Sequence, residues 1–160
     1  VIVYIFVGQL MEVNGSSMEP NFQNKEQIIA EKVSLSFKKL QRGEVIIARQ
    51  PQNSEKLLIK RVIGLPGETI KISSGKVYIN EKELDEPYLP EDTQTKEDST
   101  IKEDVIYKIP QDSYIIMGDN RAESTDSRMW GAIPEELIVG RALLVYYPIS
   151  EIKFVAKDLF

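Results

Sequence analysis

Thr69-Ile-Lys-Ile-Ser-Ser-Gly-Lys-Val-Tyr-Ile-Asn80 reads as a β-hairpin. Ile70 and Ile72 alternate with polar neighbours, Ser73-Ser74-Gly75 reverses the chain, and Val77 and Ile79 alternate again on the return. Period-two hydrophobicity on both sides of a short Gly-containing turn places one face in a core and the other in water. Upstream, Gly64-Leu65-Pro66-Gly67 is a turn that ends a β-like run over Lys56–Ile63, and Gln27–Val33 and Glu44–Arg49 are similar runs. Downstream, Ser113–Met117 and Ile138–Tyr147 repeat the pattern. Helical periodicity is weak; Pro134-Glu135-Glu136 reads as one helical first turn with Pro at its favoured position. The expected fold is mostly β, built from antiparallel sheets with little helix.

The chain has 160 residues, a length that favours one domain, and 42% of them are hydrophobic, enough to fill a core. It contains no His and no Cys. Those two zeros exclude a Ser-His-Asp triad, thiol nucleophiles, disulfides and His- or Cys-ligated metal sites within the chain. Chemistry must run on Ser, Lys, Asp, Glu, Tyr or Arg, and no cofactor or metal is expected. The net charge of −5 argues against a general nucleic-acid partner. The acid is concentrated: residues 81–104 hold ten Asp or Glu against three Lys, which leaves the remainder slightly basic. That remainder can approach an anionic membrane, while the acidic stretch is expected to prefer water.

The chain opens with Val1-Ile-Val-Tyr-Ile-Phe-Val7, apolar but far short of the ~20 residues a spanning helix requires. It has no basic n-region and no cleavage site, so it is not an intact signal peptide. It reads as a buried strand, as the stump of a membrane anchor, or as an anchor leading directly into a strand. Its β-branched and aromatic composition favours a strand.

Three segments carry side chains suited to chemistry. Asn14-Gly-Ser-Ser-Met-Glu-Pro20 describes a tight exposed turn in which backbone N–H groups can converge on an oxygen beside a Ser nucleophile. An ordinary Gly-Ser turn is the plainer alternative. Leu57-Leu-Ile-Lys-Arg-Val-Ile63 sets Lys60 and Arg61 on opposite faces of an apolar strand. A Lys ammonium among aliphatic groups loses hydration, its pKa falls, and the neutral amine becomes a general base. The alternative is an edge strand whose Lys60 reaches water. Gly118-Asp-Asn-Arg-Ala-Glu-Ser-Thr-Asp-Ser-Arg-Met-Trp-Gly131 is rich in Asp, Arg and Ser able to pair and to hydrogen-bond an amine, and Trp130 implies that part of it turns inward.

Taken together, these segments resemble bacterial type I signal peptidases of the Gram-positive-like, Ser-Lys kind, over roughly residues 10 to 148. The family's Ser-Met-x-Pro is matched by Ser17-Met18-Glu19-Pro20, and its Lys-Arg-apolar-apolar-Gly-apolar-Pro-Gly by Lys60–Gly67. Its Gly-Asp-Asn-Arg and Ser-x-Asp-Ser-Arg are matched by Gly118–Arg121 and Ser124–Arg128. The resemblance implies that Ser17 attacks the scissile carbonyl, that neutral Lys60 takes its proton and later serves the leaving amine, and that Ser124 hydrogen-bonds and orients that amine. It implies structural ion pairs among Asp119, Asp126, Arg61 and Arg128. It assigns one oxyanion donor to the Ser17 N–H and places Met18 at the substrate. Gly15 stands where some members carry a Ser hydroxyl for the oxyanion hole, which leaves the second donor open. Asn21-Phe22 replaces the usual Thr-Leu, a departure not expected to affect the chemistry.

The resemblance further implies substrates that are preprotein signal peptides cleaved after small residues in an Ala-x-Ala pattern, bound as an extended strand. It places the protein on the outer face of the bacterial cytoplasmic membrane, with membrane lipid as a second partner and an N-terminal anchor helix absent from this chain. An apolar surface around the site is then expected to dip into lipid. Residues 1–10 become the end of the anchor junction and first strand, and 11–160 the catalytic β domain with an acidic excursion at 81–104. Two other readings are self-cleaving SOS-type Ser-Lys proteases, which cut at Ala-Gly or Cys-Gly dipeptides this chain lacks, and a silent relative that binds preproteins or lipid without cutting. Retention of both Ser17 and Lys60 disfavours the latter.

Overall fold

Each alternating run forms a strand in the computed structural model, which describes residues 8–155. The readings of Val1–Val7 lie outside the described residues. Strands β1 (Gln9–Glu12), β2 (Gln27–Glu31), β3 (Val45–Gln50), β4 (Asn53–Gly64), β9 (Ser113–Met117), β10 (Ile133–Pro134), β11 (Ile138–Tyr147) and β12 (Lys153–Phe154) make the larger sheet. Its order is β1-β2-β11-β3-β4-β9-β10, with β12 paired to β11. The hairpin strands β5 (Thr69–Ser73) and β6 (Lys76–Ile79) sit between β7 (Lys82–Glu83) and β8 (Tyr107–Lys108) in a smaller sheet. All these strand pairs are antiparallel. The one α-helical turn among the described residues is α1 (Ser127–Trp130). Pro134 is the extended residue before a 3-10 turn over Glu135–Leu137, so the expected helix start there is a single tight turn instead.

The larger sheet is buried on both faces, which explains why its runs are apolar as well as alternating. Ile47 faces a cluster with Met18, Phe22, Ile28 and Val45, whereas Ile46 and Ala48 face Leu40, Val62, Tyr114 and Ile138. In the smaller sheet Ile70 opposes Ile79 and Ile72 opposes Val77, and these four meet Ile63, Ile115 and Met117 from the larger sheet. β4 joins the two cores: β3 pairs along one of its edges up to Arg61, and β9 along the opposite edge from Arg61 to Gly64. Trp130 lies partly buried against the Ile46 cluster.

The acidic segment is anchored as well as solvated. Most of its carboxylates are exposed, but Tyr88, Thr95 and Ile101 are buried, and Arg121 holds both Glu86 and Thr95.

Candidate functional site

Ser17 lies in the loop between β1 and β2. The loop is closed by Val13 N–H to the Glu26 carbonyl (2.8 Å), Glu19 N–H to Ser16 (3.1 Å) and Phe22 N–H to Met18 (2.9 Å). Met18 is fully buried among Val13, Phe22 and Ile28, so it pins the loop from below and leaves Ser17 half-buried above. This corrects the expectation for Met18: a side chain sealed in the core presents no surface to a substrate. Gly15, at the position left open for a second oxyanion donor, occupies positive φ (94°), and its own N–H is committed to Asn24 Oδ1 at 2.9 Å, so that N–H is not free for an oxyanion. The Ser17 N–H has no acceptor among the described residues.

Lys60 projects from β4 toward this loop, and its Nζ stands 2.6 Å from Ser17 Oγ. It is 3% exposed, which rules out the edge-strand alternative in which it reaches water. Burial lowers its pKa from 10.5 to about 8, against the opposing pull of Asp126 and Asp119. With its pKa near 8 the amine is mostly charged at pH 7 and becomes mostly neutral only above pH 8, where it can accept the proton of the hydroxyl beside it.

Two buried ion pairs flank that amine. Arg61, pointing to the other face of β4, binds Asp119 through two bonds of 2.8 and 2.6 Å and lies over the Tyr88 ring at 4.0 Å. Arg128 holds Asp126 through two bonds of 2.9 Å. Burial alone would raise the Asp126 carboxyl, but Arg128, Ser124 and the Gly118 N–H outweigh it and hold it below its ordinary value. Asp126 also caps α1 by accepting the Arg128 N–H. The Ser124 hydroxyl donates to Asp126 Oδ2 at 2.7 Å, and it forms no bond to the Lys60 amine. The expected Ser124–Lys60 hydrogen bond is not formed among the described residues; the hydroxyl proton goes to the Asp126 carboxylate. Gly118 sits between the parts: a Cβ there would collide with Ser124 Oγ and the Ser17 carbonyl.

Two side chains matter here that the sequence reading left without a role. Asn120 Nδ2 donates to the Ser16 carbonyl at 3.2 Å and its N–H to the Ser17 carbonyl at 3.0 Å. Asn21, expected to leave the chemistry unaffected, donates to Asp119 Oδ2 and to the Tyr88 carbonyl, each at 2.8 Å. Asn120 was already inside the quoted Gly-Asp-Asn-Arg run; for Asn21 the sequence held no signal.

A groove of about 310 Å³ runs between Met11–Asn14 and Glu55 and Leu57–Ile59, floored by Ile28 and Ile47, on the segments that lead in sequence to Ser17 and Lys60. Among the described residues β1 is the end strand of the larger sheet, and β9 pairs with β4 only from Arg61 onward, so both walls carry backbone groups that no described strand pairs. Among the described residues no group of acidic side chains gathers in a way that would hold a metal.

A Ser hydroxyl against a dry Lys amine, beside a free backbone N–H and a strand-shaped groove, is the chemistry of acyl transfer on a β-sheet scaffold. Residues 1–147 match the family model described as signal peptidase, peptidase S26, and this chain belongs to that family. It is 35% identical to a probable signal peptidase I-2 of Synechocystis sp., over 96% of this chain and 69% of that protein. It is 38% identical to signal peptidase I U of Bacillus subtilis (strain 168), over 88% and 76% of the two chains. A solved signal peptidase I from Enterococcus faecalis V583 superposes with a TM-score of 0.52 at 28% identity, covering 65% of this chain and 97% of the other.

Proposed function

We propose that this protein is a serine endopeptidase that removes N-terminal signal peptides from preproteins, with Ser17 as nucleophile and Lys60 as general base. The observation that carries this reading is the 2.6 Å separation of Lys60 Nζ and Ser17 Oγ at an amine only 3% exposed. Neutral Lys60 takes the Ser17 proton as Oγ bonds to the scissile carbonyl carbon. The carbonyl oxygen becomes anionic beside the Ser17 N–H. The tetrahedral centre collapses, its C–N bond breaks, and the Lys60 ammonium returns the proton to the leaving amine. Water then attacks the acyl-Ser17 ester as Lys60 takes its proton, the acyl C–Oγ bond breaks, and the Lys60 ammonium returns that proton to Ser17 Oγ as the carboxylic acid leaves.

The substrate adds as an extended strand between Met11–Asn14 and Leu57–Ile59, in a groove of mixed polar and apolar lining, and small residues in an Ala-x-Ala pattern are the specificity that family membership suggests. Asp119, Asp126, Arg61 and Arg128 form the rigid floor of the site, and Ser124 acts on Lys60 through Asp126. Among the described residues no helix is long and apolar enough to cross a membrane. The reading places the catalytic β domain, residues 11–160, on the outer face of the bacterial cytoplasmic membrane, with residues 1–10 leading from an N-terminal anchor.

The test is turnover of a signal-peptide substrate by the wild type, Ser17→Ala and Lys60→Ala. Cleavage by the wild type alone supports the pair; equal rates in all three overturn it.

A further inference from the structure

The chemistry at Ser17 leaves the acidic segment 81–104 without a role, although that segment is fastened to the site. Arg121, buried next to Asn120, donates to the Gly118 carbonyl at 2.9 Å, to Thr95 Oγ1 at 2.7 Å and to Glu86. Asn21 holds the Tyr88 carbonyl at 2.8 Å. Between these anchors the Leu89 N–H donates to the Glu86 carbonyl and the Thr93 N–H to the Pro90 carbonyl, each at 3.0 Å. Two consecutive turns, the first with Pro87 at its second position, therefore present a fixed wall.

Two hollows meet at that wall. One, of about 450 Å³, lies between Glu19, Pro20 and Asn120 on the catalytic side and Pro90, Asp92 and Thr93 on the other. The second, of about 580 Å³, shares Pro90 and Thr93 and continues to Lys76 and Glu83. Asn120 bonds to both the Ser16 and the Ser17 carbonyls, and Glu19 stands two residues past Ser17. The first hollow thus opens beside the nucleophile on the segment that follows it, whereas the substrate groove lies on the segment that precedes it.

The lining is charged with one sign. Glu19 and Asp92 line the first hollow and Glu83, Asp85 and Glu91 the second, and none of these carboxylates has a hydrogen bond or ion pair among the described residues. Lys76 is the one lining cation not committed to a carboxylate. The acids are strung along the hollows without gathering into a group that would hold a metal ion. Spread in this way they act as a field on an extended chain.

A peptide cut in the middle of an extended stretch occupies both sides of the nucleophile. The part upstream of the cut stays as the acyl group, and the part downstream departs with the new amine. We propose that the two hollows receive the first residues downstream of the cut, and that their carboxylates favour cationic side chains there and disfavour acidic ones. This rests on the peptidase function proposed above and gives the acidic segment the task of sorting substrates by the charge of the departing chain.

The test is cleavage by the whole chain of three short soluble peptides that share one signal segment and carry two Lys, two Gln or two Glu among the first residues after the cut. In the wild type kcat/KM should fall in the order Lys, Gln, Glu, the first exceeding the last by ~10-fold in low salt, and the spread should narrow near ~0.5 M salt. Glu91→Gln/Asp92→Asn removes one carboxylate from each hollow; it should shrink that ratio at least ~3-fold and leave turnover of the Gln peptide within about a factor of two. Glu136→Gln/Glu151→Gln removes the same charge from exposed positions outside both hollows and should keep the wild-type ratio. A wild-type ratio near one, a ratio that Glu91→Gln/Asp92→Asn leaves unchanged, or an equal fall in both variants would overturn the proposal while the peptidase function stands. Failure of the wild type to cut any of the three peptides defeats the peptidase function itself, and this proposal with it.

Discussion

Asn120 holds Ser17 from behind: its N–H donates to the Ser17 carbonyl at 3.0 Å and its side-chain amide to the Ser16 carbonyl at 3.2 Å. The Ser16 carbonyl and the Ser17 N–H share one planar trans peptide and point in opposite directions. Fixing the carbonyl toward Asn120 therefore aims the N–H away from it, free for a developing oxyanion.

Asn120→Ala should accordingly lower kcat by about tenfold while KM stays within about a factor of two, since the lost bond orients a donor used mainly in the transition state. Steady-state kinetics on a signal-peptide substrate separates the two parameters. A loss carried entirely by KM would contradict the positioning role.

Gly118→Ala tests the close approach of the two loops. The added methyl would meet the Ser17 carbonyl and Ser124 Oγ, and neither the backbone nor the carboxylate-bound hydroxyl can move aside freely. Overpacking of this kind costs about 1–3 kcal/mol, and displacement of Ser17 from Lys60 should lower kcat as well. Urea denaturation and initial rates measure both, and a variant with wild-type stability and rate would show that the loops have slack.

Much of the fold was legible because a strand buried on one or both faces writes its own period. The runs at 45–50, 69–73, 113–117 and 138–147 lie within a residue or two of their sequence-based limits. β7, β8, β10 and β12 have two residues each, too few to show any period. The site was legible where local motifs carry it, as at Ser17 and Lys60, and opaque where partners are distant. Asn21 and Asp119 are 98 positions apart, so nothing local reveals that the amide replacing a threonine steadies a buried carboxylate. Met18 stands beside the nucleophile in the sequence yet points into the core, because a loop that exposes one side chain fastens itself with the next. Ser124 meets Asp126, two residues on, a pairing that the Ser-x-Asp spacing permits but does not distinguish from a bond to the Lys60 amine.

Activity should rise with pH through about 8, where Lys60 loses its proton, and level off above it. Asp119 holds the ammonium form in place by its charge, so Asp119→Asn should move this midpoint to lower pH. The same substitution leaves the Arg61 guanidinium buried without a counter-charge and should cost ~3–5 kcal/mol of stability. The pH dependence of kcat/KM and urea midpoints read the two effects separately. A midpoint that moves upward would show that Asp119 does not act on Lys60 through its charge.

Lys60 should also weaken the fold it serves. Its folded pKa of about 8 lies below the ordinary 10.5, so between those values the unfolded chain binds more protons and stability rises with pH. Below pH 8 the amine is charged in both states and the full burial penalty is present. At about 1.4 kcal/mol per pH unit, the gap from 10.5 to 8 is a penalty of about 3 kcal/mol. Lys60→Met keeps the aliphatic stem and removes the charge. It should abolish turnover and yet melt higher than the wild type at pH 6, with the difference shrinking as the pH approaches 10.5. Thermal melts of both proteins across that range check the sign, and a variant that melts lower at pH 6 would mean that the ammonium is stabilised where it sits and is no base.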